Sequence, residues 1–290
     1  MSEYAISFQK VSYLYGKGTP FCKKALDGVE LNIKAGVITG IVGHTGSGKS
    51  TLLQMMNGLL SPEQGQVLLF GKRVGSKELS LRKAAFTAGL VFQYPEYQLF
   101  EETVYRDIAY GPKNMGLPEE EIKERVSEAM RFVGLSEELL EISPFDLSGG
   151  QKRRVAIAGI LAMRPEILVL DEPAAGLDPK GRADIFGNIY NYQKRTGTTV
   201  IIVSHSMEDM ARYADELVVM HEGRVLLHDE TEKVFSKGDL LCSIGLGLPG
   251  ITPVMQKLRA LGMPVREDVF TVEEAVKTLL PLLKGGTDRA

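Results

Sequence analysis

Nine residues, "GHTGSGKST" at 43–51, constrain this chain more than any other stretch. They match G-x-x-x-x-G-K-[ST], follow the strand-like "ITGIV" and precede the helix-like "TLLQMMNGLL". A strand that turns through small residues into a helix belongs to an α/β fold. The chemistry follows from the same residues. Small side chains let the backbone wrap closely around phosphates. The amide N–H groups of about residues 46–51 face those phosphates, and the following helix adds its positive end. Lys49 supplies a cation for the β and γ phosphates, and the Ser50 hydroxyl can ligate Mg²⁺. The expected nucleotide-binding stretch is Gly43, His44, Thr45, Gly46, Ser47, Gly48, Lys49, Ser50 and Thr51. The side chain of His44 has no context that assigns it a role.

The rest of the chain agrees with that setting. "YAISFQKVSYLY" and "VELNI" alternate as half-buried strands do, with the Gly-rich "GKGTP" as a turn between them. "TGIVG", "ILVLD", "VIIVS" and "LVVMHEG" are continuous apolar runs, the signature of strands buried on both faces of a parallel sheet. Residues 119–134 predict an amphipathic helix with Ile122, Val126, Ala129, Met130 and Val133 on one face. "ITPVMQKLRALG" predicts another, with Ile251, Val254, Met255, Leu258 and Leu261 inward. Thr271 with Glu274 reads as a capping box. The expected organisation is a cassette over 1–238, with a helical subdomain over about 93–150. A small helical C-terminal lobe over 239–290 follows, behind a Gly/Pro-rich linker at 240–256.

Composition narrows the function classes. Net charge is −3, which argues against a general nucleic-acid binder, and 44% apolar with 24% charged residues is a globular balance. Cys22 and Cys242 form no disulfide framework or metal spacing, so a reducing compartment is expected. The N-terminus has no signal-peptide pattern. The longest uncharged stretch, 240–256, is too broken by Gly and Pro to span a membrane, so any membrane part comes from another chain.

Three further motifs carry chemistry. "ILVLDEP" ends a buried strand in Asp171, placed to hold Mg²⁺, and Glu172, placed to act as general base toward water. "LSGGQKRR" puts Ser148, Gly149, Gly150 and Gln151 at a helix N-terminus, an anion site or simply a well-capped helix. With a phosphate loop in the same chain, it suggests two chains closing on one nucleotide. His205 ends the apolar run "TVIIV" and can reach a γ phosphate from that edge.

The phosphate loop, "LSGGQ", "LVLDEP", "AGLD" and "SH", in this order over about residues 4–230, resemble the ATP-binding-cassette ATPases. The resemblance implies a P-loop α/β cassette with an N-terminal antiparallel β-subdomain and an inserted α-helical subdomain. It implies ATP and Mg²⁺ as ligands, and a head-to-tail dimer with each ATP between one phosphate loop and the other chain's Ser148–Gln151. It further implies adenine stacking by Tyr15, with Tyr13 as the competing ring. Gln93 becomes a sensor of Mg²⁺ and of the attacking water, and Asp178 a link between the two sites. Ala174 stands where many relatives carry Thr, and no catalytic group is affected.

One cassette without a long heptad tract favours membrane transport over the DNA-organising and ribosome-acting relatives. "FQYPEYQLFEETVYRDIAYGPKNMGL" and the C-terminal region resemble the ATPases of energy-coupling-factor importers, most closely the second of their paired ATPases. The implied partners are a second ATPase, identical or a paralogue, a transmembrane coupling subunit and a membrane-embedded substrate-binding subunit. The implied location is the cytoplasmic face of the cell membrane, as a peripheral protein. Tyr94, Tyr97, Leu99 and Phe100 would line the groove for the coupling subunit. The competing reading packs Leu99 and Phe100 inside the helical lobe, and at least one of them is expected there.

Overall fold

The computed structural model describes residues 3–284. β1 (Tyr4–Tyr15) and β2 (Lys23–Lys34) form a long antiparallel pair with Ile6, Phe8 and Val11 turned inward against Leu31 and Ile33. β3 (Ile38–Val42) is buried along its whole length and leads through the 43–48 loop into α1 (Lys49–Met56). β4 (Gln64–Leu69) and β5 (Lys72–Arg73) extend the first sheet, and α2 (Leu81–Thr87) runs into β6 (Ala88–Val91). A 3-10 turn at Pro95–Gln98 opens the helical lobe of α3 (Val104–Asn114), α4 (Glu119–Phe132) and α5 (Gly149–Leu161). β7 (Ile167–Asp171), α6 (Pro179–Thr196), β8 (Thr199–Val203) and α7 (Met207–Tyr213) return the chain to the second sheet. β9 (Glu216–His221) and β10 (Arg224–Glu230) complete it, before α8 (Thr231–Phe235), α9 (Gly238–Ser243), α10 (Ile251–Ala260) and α11 (Val272–Lys284).

Among the described residues the sheets have the orders β2-β1-β4-β5 and β10-β9-β3-β8-β7-β6. The second is parallel except at its β9–β10 edge. Its apolar strands bury both faces, as their sequence implied. Ile41, Val169, Ile201, Val203 and Val218 face the first sheet and α1, while Leu168, Leu170, Val200, Ile202 and Leu217 face the helical lobe and α6. This is the α/β cassette with an antiparallel subdomain and inserted helices that the sequence implied.

Three local expectations need correction. Residues 240–256 are not a linker. Leu240–Ser243 continue α9, Ile251 starts α10, and Leu241 (1% exposed) and Leu246 sit in the same core as the helical lobe. The intervening turn is also tied by hydrogen bonding: Gly250 N donates to Glu208 Oε1 at 3.0 Å, and His44 Nε2 meets the Ile244 carbonyl. The Gly and Pro residues here shape a packed turn instead of freeing the chain. The α10 face also differs. Met255 and Thr252 are buried and Ile251 and Leu258 half-buried, whereas Val254 and Leu261 are exposed. Thr252 sets that rotation by donating to the Val269 carbonyl at 2.8 Å. The cap of α11 is a variant of the predicted box: Thr271 Oγ1 accepts from Glu274 N, but Glu274 reaches Phe270 N. The last six positions of the expected lobe, 285–290, lie outside the described residues. No helix among the described residues is long and apolar enough to cross a membrane.

Docking of the C-terminal segment is therefore a core interaction. Leu241→Ala is expected to lower unfolding stability by about 3 kcal/mol. The half-exposed neighbour change Leu240→Ala should stay within about 0.5 kcal/mol. Urea unfolding of the two variants checks this.

A candidate nucleotide site at level strand ends

Three parallel strands end together. Val203 of β8 is the register partner of Ile41 in β3 and of Asp171 in β7. The 43–48 loop, the Asp171–Glu172 pair and the Ser204–His205 turn therefore leave the sheet at one level, at its carboxyl edge. Strand order does the rest, since β8 lies between β3 and β7. Ligand crevices of open α/β sheets lie at such edges.

A cleft of about 400 Å³ opens there. It is lined by Tyr15, Thr45, Gly46, Gly48, Lys49, Ser50, Thr51, Gln93, Asp171, Glu172 and His205, together with Lys23, Ala25 and Val203. Residues that sequence reasoning drew from five separate segments thus meet in one place. Lys23 is a cation that no motif singled out. A larger concavity of about 1130 Å³ lies near Tyr4, Lys10, Gln66 and His228, but it holds none of the predicted site residues and its buried Glu216 is already paired with Lys34 and His228.

The loop is built for close approach. Gly48 has φ +102°, and a Cβ there would stand 2.6 Å from the Ala25 carbonyl oxygen. Lys49 Nζ donates to the carbonyls of Gly43 at 2.6 Å and His44 at 2.8 Å. Burial lowers the Lys49 pKa, with Glu172 and Asp171 opposing that shift. Ser50 Oγ donates to Asp171 Oδ2 at 3.1 Å. Burial raises the Asp171 carboxyl above its ordinary range, against the Ser50 hydrogen bond and the charge of Lys49. Tyr15 shares a 3.2 Å hydrogen bond with Thr51 Oγ1 and meets Tyr13 edge-on, with centroids 5.0 Å apart. Tyr15 lines the cleft, while Tyr13 packs against the core between the sheets.

Glu172 stands out in two ways. Its backbone has φ +50°, an uncommon region for a residue with a Cβ, and its N–H donates to the Val203 carbonyl at 3.0 Å. Its Oε1 lies 3.1 Å from His205 Nε2, yet it is buried without an aligned hydrogen-bond donor. Burial pushes its pKa up, and His205 pulls the other way. A desolvated, under-satisfied carboxylate facing a polar cleft is suited to accept a proton.

Other predicted residues stay apart from the cleft. Gly43 and His44 border a neighbouring hollow shared with Gly245–Leu248, and Ser47 is buried beneath the loop. Ser148 caps α5 with a full capping box: its Oγ accepts from Gln151 N, and Gln151 Oε1 accepts from Ser148 N at 3.0 Å. Gly149 and Gly150 have open space where a Cβ would point. Asp178 caps α6 through Gly181 N at 3.0 Å. Neither the 148–151 helix end nor Asp178 lines this chain's own cleft, and Ser148, Gly149 and Asp178 are exposed.

The aromatic stretch after Gln93 splits. Tyr94 adopts φ +56° and Pro95 starts the 3-10 turn, which turns the segment out of the sheet. Leu99 is 8% exposed and belongs to the lobe core, so of the two residues expected to compete for the lobe it is Leu99 that packs inside, and it is not a groove residue. Tyr97 is 85% and Phe100 58% exposed, with Phe100 packed edge-on against Tyr110.

The family described as ABC transporter matches residues 26–175. An energy-coupling factor transporter ATP-binding protein, EcfA2, of Caldanaerobacter subterraneus subsp. tengcongensis is 52% identical over 97% of this chain and 98% of its own length. The EcfA2 of Clostridium tetani is 50% identical over 96% of this chain and 97% of its own. Among solved structures, cbiO1 from Clostridium perfringens, part of the ABC transporter complex cbiONQ, superposes with TM-score 0.74. It is 41% identical and covers 88% of this chain and 100% of its own. The dimeric cassette MJ0796 bound to ADP and Pi superposes with TM-score 0.69 at 30% identity, over 78% of this chain and 98% of its own. The chain belongs to the ABC transporter family of ATPases, among the energy-coupling factor transporter ATP-binding proteins.

Proposed function

We propose that this chain is the ATP-binding and ATP-hydrolysing subunit of an energy-coupling-factor importer of vitamins or transition-metal ions. It works as one member of an ATPase pair. The observation that carries the reading is the convergence of the phosphate loop, Gln93, Asp171, Glu172 and His205 in one cleft, in a chain about half identical to such subunits over nearly its full length.

In this reading the 43–51 loop and Lys49 hold the β and γ phosphates, and Tyr15 lies against the adenine. Mg²⁺ suits the donors present. Ser50 Oγ and Asp171 Oδ2 are hard oxygens 3.1 Å apart, Gln93 lines the same cleft, and Glu172 Oε1 is an unsatisfied buried oxygen. Among the described residues no group of three or more His, Cys, Asp or Glu side chains forms a metal cage. Mg²⁺ needs none, because it takes one or two protein oxygens with substrate phosphates and water. When bound, it neutralises charge on the phosphates. Ser50 and Asp171 position it, and Gln93 orients the attacking water. Glu172 Oε1 takes that water's proton, and His205 holds the carboxylate from 3.1 Å and reaches toward the γ phosphate.

The Ser148–Gln151 end of one chain covers the nucleotide of the other. Its capped helix presents a hydroxyl and backbone amides to the phosphates, and Asp178 links the two sites. The exposed Tyr97 and Phe100 with Tyr94 form the docking surface for a transmembrane coupling subunit, which carries a membrane-embedded substrate-binding subunit. The protein sits on the cytoplasmic face of the cell membrane by these contacts. ATP closes the pair and moves the docking surface, and hydrolysis reopens it.

Steady-state hydrolysis tests the chemistry. Glu172→Gln should lower kcat by about 10²–10⁴-fold with KM for ATP little changed. Near-normal turnover would remove Glu172 from the role of base. Gly48→Ala should fold yet lose binding of a fluorescent ATP analogue, because its Cβ collides with backbone. Tyr97→Ser should leave unfolding stability within about 0.5 kcal/mol, while recovery of the membrane complex by affinity purification falls. Full recovery of that complex would place the docking surface elsewhere.

A further inference from the structure

The basic run Lys152–Arg154 follows directly on the Ser148–Gln151 helix end. The structure singles out one member. Arg153 is 3% exposed, and it shares the inner face of α5 with Ile157 and Leu161 at four-residue spacing. Its guanidinium reaches three other groups. Nε and Nη2 donate to Glu96 Oε2 at 3.0 Å and Oε1 at 2.7 Å, a bidentate pair. Nη1 donates to the carbonyl of Ala175. The Tyr94 ring centroid lies 5.8 Å away.

Those contacts belong to separate functional segments. Arg153 is on the helix that Ser148 caps. Glu96 and Tyr94 lie in the turn that starts at Gln93 and ends in the exposed aromatics. Ala175 lies between Glu172 and Asp178. A guanidinium stays charged when buried, and a buried charge that loses one partner is strongly destabilised. The segments must therefore move together or leave Arg153 uncompensated. Burial works to raise the Glu96 carboxyl, and the Arg153 bonds with a backbone N–H outweigh it, so Glu96 is held below its ordinary value as the anion that Arg153 needs.

We propose that Arg153 is a positioning residue that joins the Gln93–Phe100 turn, the Ser148 helix end and the Ala175–Asp178 loop into one mechanical unit. Displacement of the turn is thereby delivered to the two elements that face the partner cassette's nucleotide. The proposal rests on the dimer and docking roles assigned above. It adds the residue through which they communicate.

The test uses the full-length chain with its pairing ATPase, in a Glu172→Gln background, with ATP retained through gel filtration as the measure of closure. Arg153→Met keeps much of the side-chain length and removes the charge, while Glu96→Gln is the milder change. Both are expected to bind a fluorescent ATP analogue within about twofold of the parent and to lose about tenfold in retained ATP. With Glu172 restored, kcat falls by a similar factor at unchanged KM. Arg153→Lys should not rescue, because an ammonium cannot span both carboxylate oxygens and a carbonyl. Measurements are made where circular dichroism shows the variants folded, and if Arg153→Met does not fold, Glu96→Gln decides alone. Normal retention and kcat in folded Glu96→Gln, or full rescue by lysine, would overturn the proposal. If Glu96→Gln loses closure but the membrane subunits leave wild-type hydrolysis unchanged, the docking reading fails and the role of Arg153 in closure stands.

Discussion

The shared register of β3, β8 and β7 is the constraint on which the rest depends. Because Val203 pairs with both Ile41 and Asp171, the chemistry-bearing residues that follow these strands emerge at one height. A parallel ladder buried on both faces fixes that height firmly, since a slip of one residue would turn Val203 and Ile201 from one core to the other. The loop, the acids and the histidine need no direct bonds among themselves to be brought close. The sheet positions them, while Gln93 arrives from the end of the neighbouring edge strand β6, and Tyr15, Lys23 and Ala25 from β1 and β2 of the first sheet.

Much of this was legible because it rests on local signals. Continuous apolar runs gave the buried strands, alternation gave the first hairpin, and the predicted face of α4 is buried at Ile122, Val126, Ala129 and Met130. What escaped was information that composition does not carry. Gly and Pro at 240–256 signal turns, but burial of Leu241 and Leu246 depends on a surface made by distant elements. The inner face of α10 is fixed by a Thr252 hydrogen bond to Val269, 17 residues on, so counting apolar residues alone misplaced Val254 and Leu261. Likewise, Lys23 reaches the cleft only because β1 and β2 pair as they do.

The candidate site was read in its residues but not in its division. Sequence order cannot say that Ser148 and Asp178 stay out of the cleft that the phosphate loop lines. Their places depend on where α5 and α6 start, Ser148 capping one helix and Asp178 the other. Nor does a run of three basic residues say which one turns inward, although the spacing of Arg153 from Ile157 and Leu161 contained the answer. The aromatic stretch divides by the same logic. A left-handed Tyr94 and the 3-10 turn at Pro95–Gln98 break the strand's alternation, so Leu99, just past the turn, enters the core while Tyr97 within it remains outside.

The backbone at Glu172 has a consequence separate from proton transfer. At φ +50° the position penalises β-branched side chains before any chemistry is considered. Under the role proposed for Glu172, substitutions here meet two filters, one of conformation and one of reactivity. Glutamine, asparagine, aspartate and glycine pass the first filter more easily than valine, isoleucine or threonine. The substitutions most readily reached without loss of the fold are therefore ones that keep this backbone and change only the carboxylate, so under the role proposed for Glu172 a single substitution separates nucleotide binding from turnover.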